Sequence, residues 1–181
     1  RQPIPFPGEL EWYLKYASRS GSPVLELACG SGRLLIPIAQ AGYTIDGVDN
    51  SEVMLQRLKG KLEPLDENTR QKIRVFCLDM AEFHTDRQYS MVTIVYNSLQ
   101  ILETKDRILR CFNCVYDTLN KDGYFLLLVR RTDTSSLTHG QVVVFDWMDK
   151  RVVNKELKYS VGSRLVSYLD VNRNRIVDER T

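Results

Sequence analysis

Three turns that follow apolar stretches of the chain carry residues suited to binding a nucleoside. Residues 24–28 are apolar apart from Glu26 and lead into Gly30 and Gly32. A second stretch ends at Asp49, and a third is followed by Asp79. A carboxylate can accept from both hydroxyls of a ribose, or from the amino group of an adenine. This pattern predicts a site for an adenosine-containing ligand; the alternative is a generic turn of the same kind that binds another ligand, or none.

The glycines and their neighbours suit the rest of such a ligand. Gly30 and Gly32 have no Cβ, so the backbone can approach a ligand closely and present N–H groups at the start of a helix. Glu26 can organise this turn or accept from a cationic amino group. Met54 and Met80 can flank a flat ring, and Asn97 follows the fourth apolar stretch.

Two other nucleotide motifs fit the chain poorly. A dinucleotide-binding turn has the pattern G-x-G-x-x-G, in which the third glycine allows close packing of helix on strand. Here that third position is Leu35. A phosphate-binding loop needs Gly-Lys-Ser/Thr, which the chain lacks.

Strands and helices that alternate along the chain must position these residues. Apolar periodicity and turn residues predict helices at 9–18, 33–41, 51–61 and 106–119, and strands at 24–28, 43–48, 72–78, 89–96 and 124–129, with a turn at 120–123. After Arg131, strands without helices are predicted at 141–147, 152–161 and 164–171.

This order predicts an α/β fold with a doubly wound, mostly parallel Rossmann-like sheet and an appended antiparallel β-meander. We expect residues 1–131 to form the ligand-binding core with an N-terminal helix. We expect residues 132–181 to form the antiparallel part.

Residues 24–130 resemble the core of class I S-adenosylmethionine-dependent methyltransferases, with four motifs in the family's order. Residues 24–33 resemble its glycine-rich turn, 41–51 its second strand and acidic loop, and 78–83 its adenine-side loop. Residues 95–102 resemble the motif after the fourth strand in the branch that often methylates small molecules. The family usually has Gly where this chain has Ala28.

The resemblance implies a cofactor, a reaction and a set of cofactor-binding residues. The cofactor is S-adenosylmethionine, the product is S-adenosylhomocysteine, and the reaction is methyl transfer to a small-molecule acceptor. The alternatives are a nucleic-acid or protein methyltransferase and a non-catalytic S-adenosylmethionine-binding protein. The implied cofactor-binding residues are Glu26, Gly30, Gly32, Asp49, Asn50, Met54, Asp79, Met80 and Asn97; no catalytic residue is assigned.

The resemblance also raises two expectations about the C-terminal part. In some members a β-sheet insertion after the fifth strand covers the active site, and residues 132–181 resemble it. The family core normally continues with a helix and an antiparallel strand pair, which residues 131–181 do not show. We therefore expect a truncated chain that lacks these core elements and leaves the outer edge of the fifth strand uncovered.

The composition of the chain limits the cellular location and the binding partners that we expect. A net charge of +2 gives no basic surface for nucleic acid, and no apolar run is long enough to span a membrane. Four cysteines are too few for a disulfide scaffold, which favours the cytoplasm. Cys111 and Cys114 have no second ligand pair at zinc spacing, so no metal site is predicted. His139 is a candidate substrate-side base, with a surface histidine as the alternative.

Overall fold

The computed structural model of the chain describes residues 8–96, 98–130, 142–147, 157–160, 165–170 and 175–180. The helices within this part are α1 Glu9–Ser20, α2 Leu35–Gln40, α3 Glu52–Leu62, α4 Glu67–Gln71 and α5 Lys105–Thr118, with a 3₁₀ helix at Ser98–Leu102. The strands are β1 Val24–Leu27, β2 Ile45–Asp49, β3 Ile73–Cys77, β4 Tyr89–Ile94, β5 Leu119–Arg130, β6 Val142–Trp147, β7 Leu157–Ser160, β8 Leu165–Asp170 and β9 Arg175–Arg180.

These strands form one sheet in the order β3-β2-β1-β4-β5-β6-β7-β8-β9. The first five pair in parallel, which confirms the predicted doubly wound α/β fold. The chain order reverses at β1, which lies between β2 and β4. In open parallel sheets a ligand crevice forms at this reversal, beyond the carboxyl ends of the strands. The Rossmann-like core therefore places the predicted site residues at the loops after β1, β2, β3 and β4.

Helices cover both faces of the parallel strands. One face buries Leu25, Leu27 and Val48 with Cys111 and Val115 of α5. The other buries Val24 and Ile45 with residues of α1, α2 and α3, among them Tyr13, Leu35, Leu55 and Leu58. The alternation of side chains along β1 and β2 thus divides the core into two layers.

Side-chain caps fix where several helices begin. The Ser51 hydroxyl accepts from the Met54 N–H at 3.3 Å, which confirms the predicted start of α3. The Asp66 carboxylate accepts from the Thr69 N–H at 2.9 Å and begins α4, a helix that the sequence analysis did not predict. The 3₁₀ helix Ser98–Leu102 was also not predicted. Both segments are too short to show a helical period of apolar residues.

The predicted turn at residues 120–123 is wrong. These residues lie within β5, where the pairing with β4 is irregular: Tyr89 pairs with Leu119, but Met91 pairs with Tyr124. The additional residues of β5 are therefore accommodated as an irregularity in the strand, and turn-forming residues are common at such places.

The expectation of an uncovered outer edge on β5 is also wrong. β6 pairs with β5 in antiparallel register, from Phe125 opposite Trp147 to Arg130 opposite Val142. The antiparallel meander then continues through β7 and β8 to β9, a strand that was not predicted. Residues 131–141, 148–156, 161–164 and 171–174 lie outside the described part of the chain, so the predicted strand at 152–161 is described only at Leu157–Ser160. The division into domains at residue 131 stays a prediction.

Candidate cofactor site

Two neighbouring cavities open at the carboxyl ends of the parallel strands. The larger, about 620 Å³, lies over the turn after β1 and beside the residues that follow β4. The smaller, about 320 Å³, lies over the loops after β2 and β3. Both are lined by Ala28, Gly30, Met54 and Ser98, so the glycine turn and the start of α3 border both cavities.

Asp49 ties the glycine turn to the start of α3. Its Oδ2 accepts from the Gly30 N–H at 2.7 Å, and its Oδ1 accepts from the Ser51 N–H at 2.8 Å. A carboxylate has about four lone-pair positions, so each oxygen can accept a further hydrogen bond. Asp49 lines the smaller cavity and is held in place by backbone donors on both sides.

The two predicted glycines differ in what surrounds them. Gly30 has a φ of 54° and lines both cavities, where a Cβ would meet the Met54 methyl at 3.2 Å. Gly32 has a φ of 78°, and a Cβ there would lie 2.4 Å from Leu58 Cδ1. Gly32 lines neither cavity, and glycine is favoured there by the positive φ and by the close approach of the Leu58 side chain.

Glu26 is a buried acid at the base of the larger cavity. Its side chain is 1% exposed, and its Oε2 has no hydrogen-bond partner. Burial raises the pKa of Glu26 to about 8, although the Arg33 guanidinium and a backbone hydrogen bond from Leu35 act to lower the pKa. The ligand-free protein therefore holds a largely neutral carboxylic acid here at pH 7.

Arg33 lines the larger cavity and connects the glycine turn to α1. Its guanidinium makes two hydrogen bonds to the buried Glu9 carboxylate, at 2.5 and 2.9 Å. The same guanidinium lies 4.3 Å from the centre of the Tyr96 ring, a cation–π geometry. The first turn of α1 is thereby fixed to the glycine turn.

The smaller cavity gathers the predicted residues from the loops after β2 and β3. Asn50, Met54, Asp79 and Met80 all line it. Asp79 accepts from the Ala81 N–H at 2.8 Å and from Arg107 at 2.6 Å, and these contacts hold its pKa below the ordinary value.

Most of the predicted site residues therefore come together. Seven of the nine line one or both cavities: Glu26, Gly30, Asp49, Asn50, Met54, Asp79 and Met80. Gly32 lies just behind them, and Asn97 lies outside the described residues. Several polar lining residues were not predicted from the sequence, namely Ser31, Arg33, Arg57, Lys61 and Arg107. On α3, the spacing of Met54, Arg57 and Lys61 was the available signal, since residues at i, i+3 and i+7 share one helix face.

Other site types find less support in the described part of the chain. None of its His, Cys, Asp and Glu side chains forms a group of three that could hold a metal ion. No helix there is long and apolar enough to cross a bilayer. Its thiols, those of Cys29, Cys77, Cys111 and Cys114, are unpaired. His139 lies outside the described residues.

Comparison with known proteins agrees with this fold. Residues 24–123 match the family model described as a methyltransferase domain. The chain belongs to this family, and its fold is that of the class I S-adenosylmethionine-dependent methyltransferases, which are enzymes.

Individual relatives support the family assignment, and each match covers only part of the relative's own length. A Bacillus subtilis (strain 168) protein that carries a methyltransferase name, YqeM, is 34% identical over 104 residues, which are 57% of this chain and 40% of that protein. The structure of the CcbJ methyltransferase from Streptomyces caelestis aligns with a TM-score of 0.66 and 23% identity, covering 96% of this chain and 71% of that one. The glycopeptide N-methyltransferase MtfA, solved with S-adenosylhomocysteine, aligns with a TM-score of 0.61 and 23% identity, covering 89% of this chain and 58% of that one. The chain spans less than half the length of the curated relatives it matches.

Proposed function

We propose that this chain binds S-adenosylmethionine across the two cavities and transfers its methyl group to a small-molecule nucleophile, releasing S-adenosylhomocysteine. The observation that carries this proposal is the geometry of Asp49. Two backbone N–H groups hold its carboxylate at the smaller cavity, and each oxygen can accept one further hydrogen bond. A ribose offers two adjacent hydroxyl donors that match this arrangement.

The smaller cavity suits the adenine base. Met54 and Met80 provide polarizable side chains for the faces of a flat ring. Asp79 keeps acceptor capacity beyond its contacts with Ala81 and Arg107, so it can accept from the adenine amino group. Asn50 lies beside Asp49 and completes the polar side of this cavity.

The larger cavity suits the amino-acid end of the cofactor. The unpartnered Oε2 of Glu26 is an acceptor for the ammonium group. Arg57 and Lys61 line the same cavity and can attract the carboxylate. The cofactor, when bound, supplies a methyl group that its sulfonium centre already activates. The work of the chain's own residues is then to orient the reactants and to exclude water.

Two indirect observations support a small molecule as the methyl acceptor. The net charge of +2 does not argue for a nucleic-acid-binding surface. The fold is shared with MtfA, whose name describes a glycopeptide N-methyltransferase.

We further propose that residues 1–131 form the cofactor-binding core and that residues 132–181 cover the active site. We also propose that the protein works in the cytoplasm, where unpaired thiols persist.

Titration calorimetry with S-adenosylhomocysteine, with NAD as the comparison ligand, tests the cofactor. We expect micromolar binding of the former and none of the latter. Turnover of labelled S-adenosylmethionine with a panel of small nucleophiles, nucleic acids and proteins then tests the reaction. Turnover on nucleic acid or protein would favour those acceptors, and tight binding without any turnover would favour a non-catalytic binding protein.

The substitution Asp49→Ala tests the residue at the centre of the proposal. Loss of the acceptor for the ribose should weaken S-adenosylhomocysteine binding by about 1–3 kcal/mol, roughly tenfold to a hundredfold. Asp66→Ala is the matched control, because Asp66 also accepts from the backbone at the start of a helix but lies outside both cavities. If the Asp49→Ala variant and the wild type bind S-adenosylhomocysteine with equal affinity, Asp49 is not part of the cofactor site.

A further inference from the structure

Three buried polar atoms in the described part of the chain have no hydrogen-bond partner: Tyr13 Oη, Glu26 Oε2 and Thr93 Oγ1. Their residues are 0%, 1% and 0% exposed. Leaving such an atom unpaired costs free energy, and most buried polar groups in proteins are paired. Three of them in one region therefore require an explanation.

The three side chains come together on one face of the sheet. Glu26 of β1 pairs in register with Thr93 of β4, so their side chains are neighbours on the same face. Tyr13 of α1 is buried in the core layer of that face. Burial and the Glu9 and Glu26 carboxylates raise the pKa of Tyr13, whereas the Thr93 hydroxyl acts to lower it.

The charged and titratable groups around Glu26 leave it without a fixed counter-ion. Arg33, the nearby cation, gives its two hydrogen bonds to Glu9 of α1. Asp49 of β2 adds negative charge that disfavours ionisation of Glu26. In the turn, the buried Cys29 thiol is itself kept protonated by burial and by the Glu26 and Asp49 charges, which raise its pKa.

We propose that Tyr13 and Thr93 are positioning residues that make Glu26 a proton-coupled receptor for the ammonium group of the cofactor. In the ligand-free protein the Glu26 carboxyl is neutral, and its Oε2 has no hydrogen bond to either hydroxyl. When the ammonium group arrives, the Glu26 O–H bond breaks and the proton leaves to solvent. The Tyr13 and Thr93 side chains then shift so that their hydroxyls donate to the carboxylate, because a hydroxyl can donate or accept. This inference rests on the proposed function and adds to it a proton released on binding.

Proton release can be measured by calorimetry in buffers that differ in their enthalpy of ionisation. At pH 7 we expect S-adenosylhomocysteine binding to release close to one proton, since a group with a pKa of about 8 is mostly protonated there. The dissociation constant should fall about tenfold for each pH unit up to about pH 7 and level off above pH 8. The comparison ligand is 5′-methylthioadenosine, which keeps the adenosine and thioether but has no ammonium group. It should bind without proton release and without this pH dependence.

Substitutions separate a positioning role from general packing. Tyr13→Phe and Thr93→Val should each weaken S-adenosylhomocysteine binding at pH 7 about fivefold and shift the levelling-off to higher pH, while 5′-methylthioadenosine affinity stays unchanged. Thr93→Ser keeps the hydroxyl and should restore wild-type behaviour. Tyr16→Phe removes a hydroxyl from the same helix and is the matched control.

The outcomes separate this inference from the proposed function. S-adenosylhomocysteine that binds without releasing a proton, or with the same affinity in the Tyr13→Phe and Thr93→Val variants, overturns the proton-coupled receptor and leaves the cofactor assignment standing. No binding of S-adenosylhomocysteine overturns both.

Discussion

Two buried acids on neighbouring strands of the sheet have opposite surroundings. Asp46 of β2 is 0% exposed and accepts from Arg74 at 2.7 Å, from Arg87 at 2.5 Å and from the Tyr89 hydroxyl at 2.6 Å. Glu26 of β1 is equally buried but has one oxygen without a partner. The two face opposite sides of the sheet, since Glu26 pairs with Gly47 and not with Asp46.

The difference in pairing gives the two acids opposite pKa shifts. Burial acts against ionisation of Asp46, but the hydrogen bonds from Arg74, Arg87 and Tyr89 outweigh it and hold the pKa below the ordinary value. For Glu26 burial dominates and the pKa is raised. A satisfied buried acid stabilises the fold, whereas a partly satisfied one at a cavity is typical of a functional site.

Backbone strain is found at the same end of the sheet as Glu26. Ala28 and Tyr96 have positive φ values of 55° and 56°, in the segments that follow β1 and β4. Residues other than glycine rarely adopt this backbone conformation, which costs them about 1–2 kcal/mol of free energy. The cavity end of the sheet therefore combines strain with an unsatisfied acid, while Asp46 belongs to a fully bonded network.

The largest effect on stability is expected from breaking the satisfied network. Asp46→Asn removes the charge that Arg74 and Arg87 share and should lower the free energy of unfolding by about 3 kcal/mol. Because the pKa of Asp46 is lowered on folding, its contribution is complete above about pH 4 and is lost as the pH falls through the lowered value. Denaturant unfolding of the wild type and the variant from pH 3 to 7 measures both the loss of stability and its pH dependence.

A control for this substitution is Asp86→Asn, which removes the exposed second partner of Arg74. Its unfolding midpoint should match that of the wild type, because exposed ion pairs contribute little. A wild-type midpoint for Asp46→Asn would contradict the structural role of the network.

Substitution of Glu26 is expected to have a smaller effect on stability, and to raise it. The raised pKa means that its contribution to stability is complete below about pH 4.3 and is lost as the pH rises through about 8. Glu26→Gln should therefore raise the free energy of unfolding of the ligand-free protein at pH 8, with a gain that shrinks toward pH 4. Denaturant unfolding at both pH values measures this gain.

The same Glu26→Gln variant should bind S-adenosylhomocysteine more weakly, so stability and function should change in opposite directions. Glu11→Gln, an exposed acid of α1, serves as the control and should alter neither property. A Glu26→Gln variant less stable than the wild type at pH 8 would show that the carboxyl is satisfied after all.

The smallest effect is expected from relieving strain at the cavity end. Ala28→Gly should stabilise the protein by about 0.5 kcal/mol, because glycine adopts the observed positive φ at little cost, although it also gains freedom in the unfolded chain. Ala41→Gly, at a residue with φ of −74°, should destabilise instead. Thermal unfolding of both variants gives the comparison, and a loss of stability in Ala28→Gly would contradict the strain.

The sequence predicted the core because each of its signals is local. Apolar stretches and turn residues predicted the five parallel strands, and the order of strands and helices then predicted their topology. Residues such as Asp49 were found because the carboxyl ends of parallel strands meet at one edge. By contrast, α4 is too short to show a period, and the turn residues before Gly123 lie within the irregular part of β5.

The sequence by itself determined the class of fold, the family and seven of the residues that line the cavities, because these depend on periodicity and on spacing within motifs. Only the tertiary structure decided which charges meet. It pairs Arg33 with Glu9, 24 residues earlier, and surrounds Asp46 with donors from later strands and loops. It also buries Tyr13 and Thr93 on the same face of the sheet as Glu26 and leaves one polar atom of each of the three without a hydrogen-bond partner. Contacts between residues far apart in the chain, and the burial that sets their pKa values, exist only once the sheet and its helices have packed.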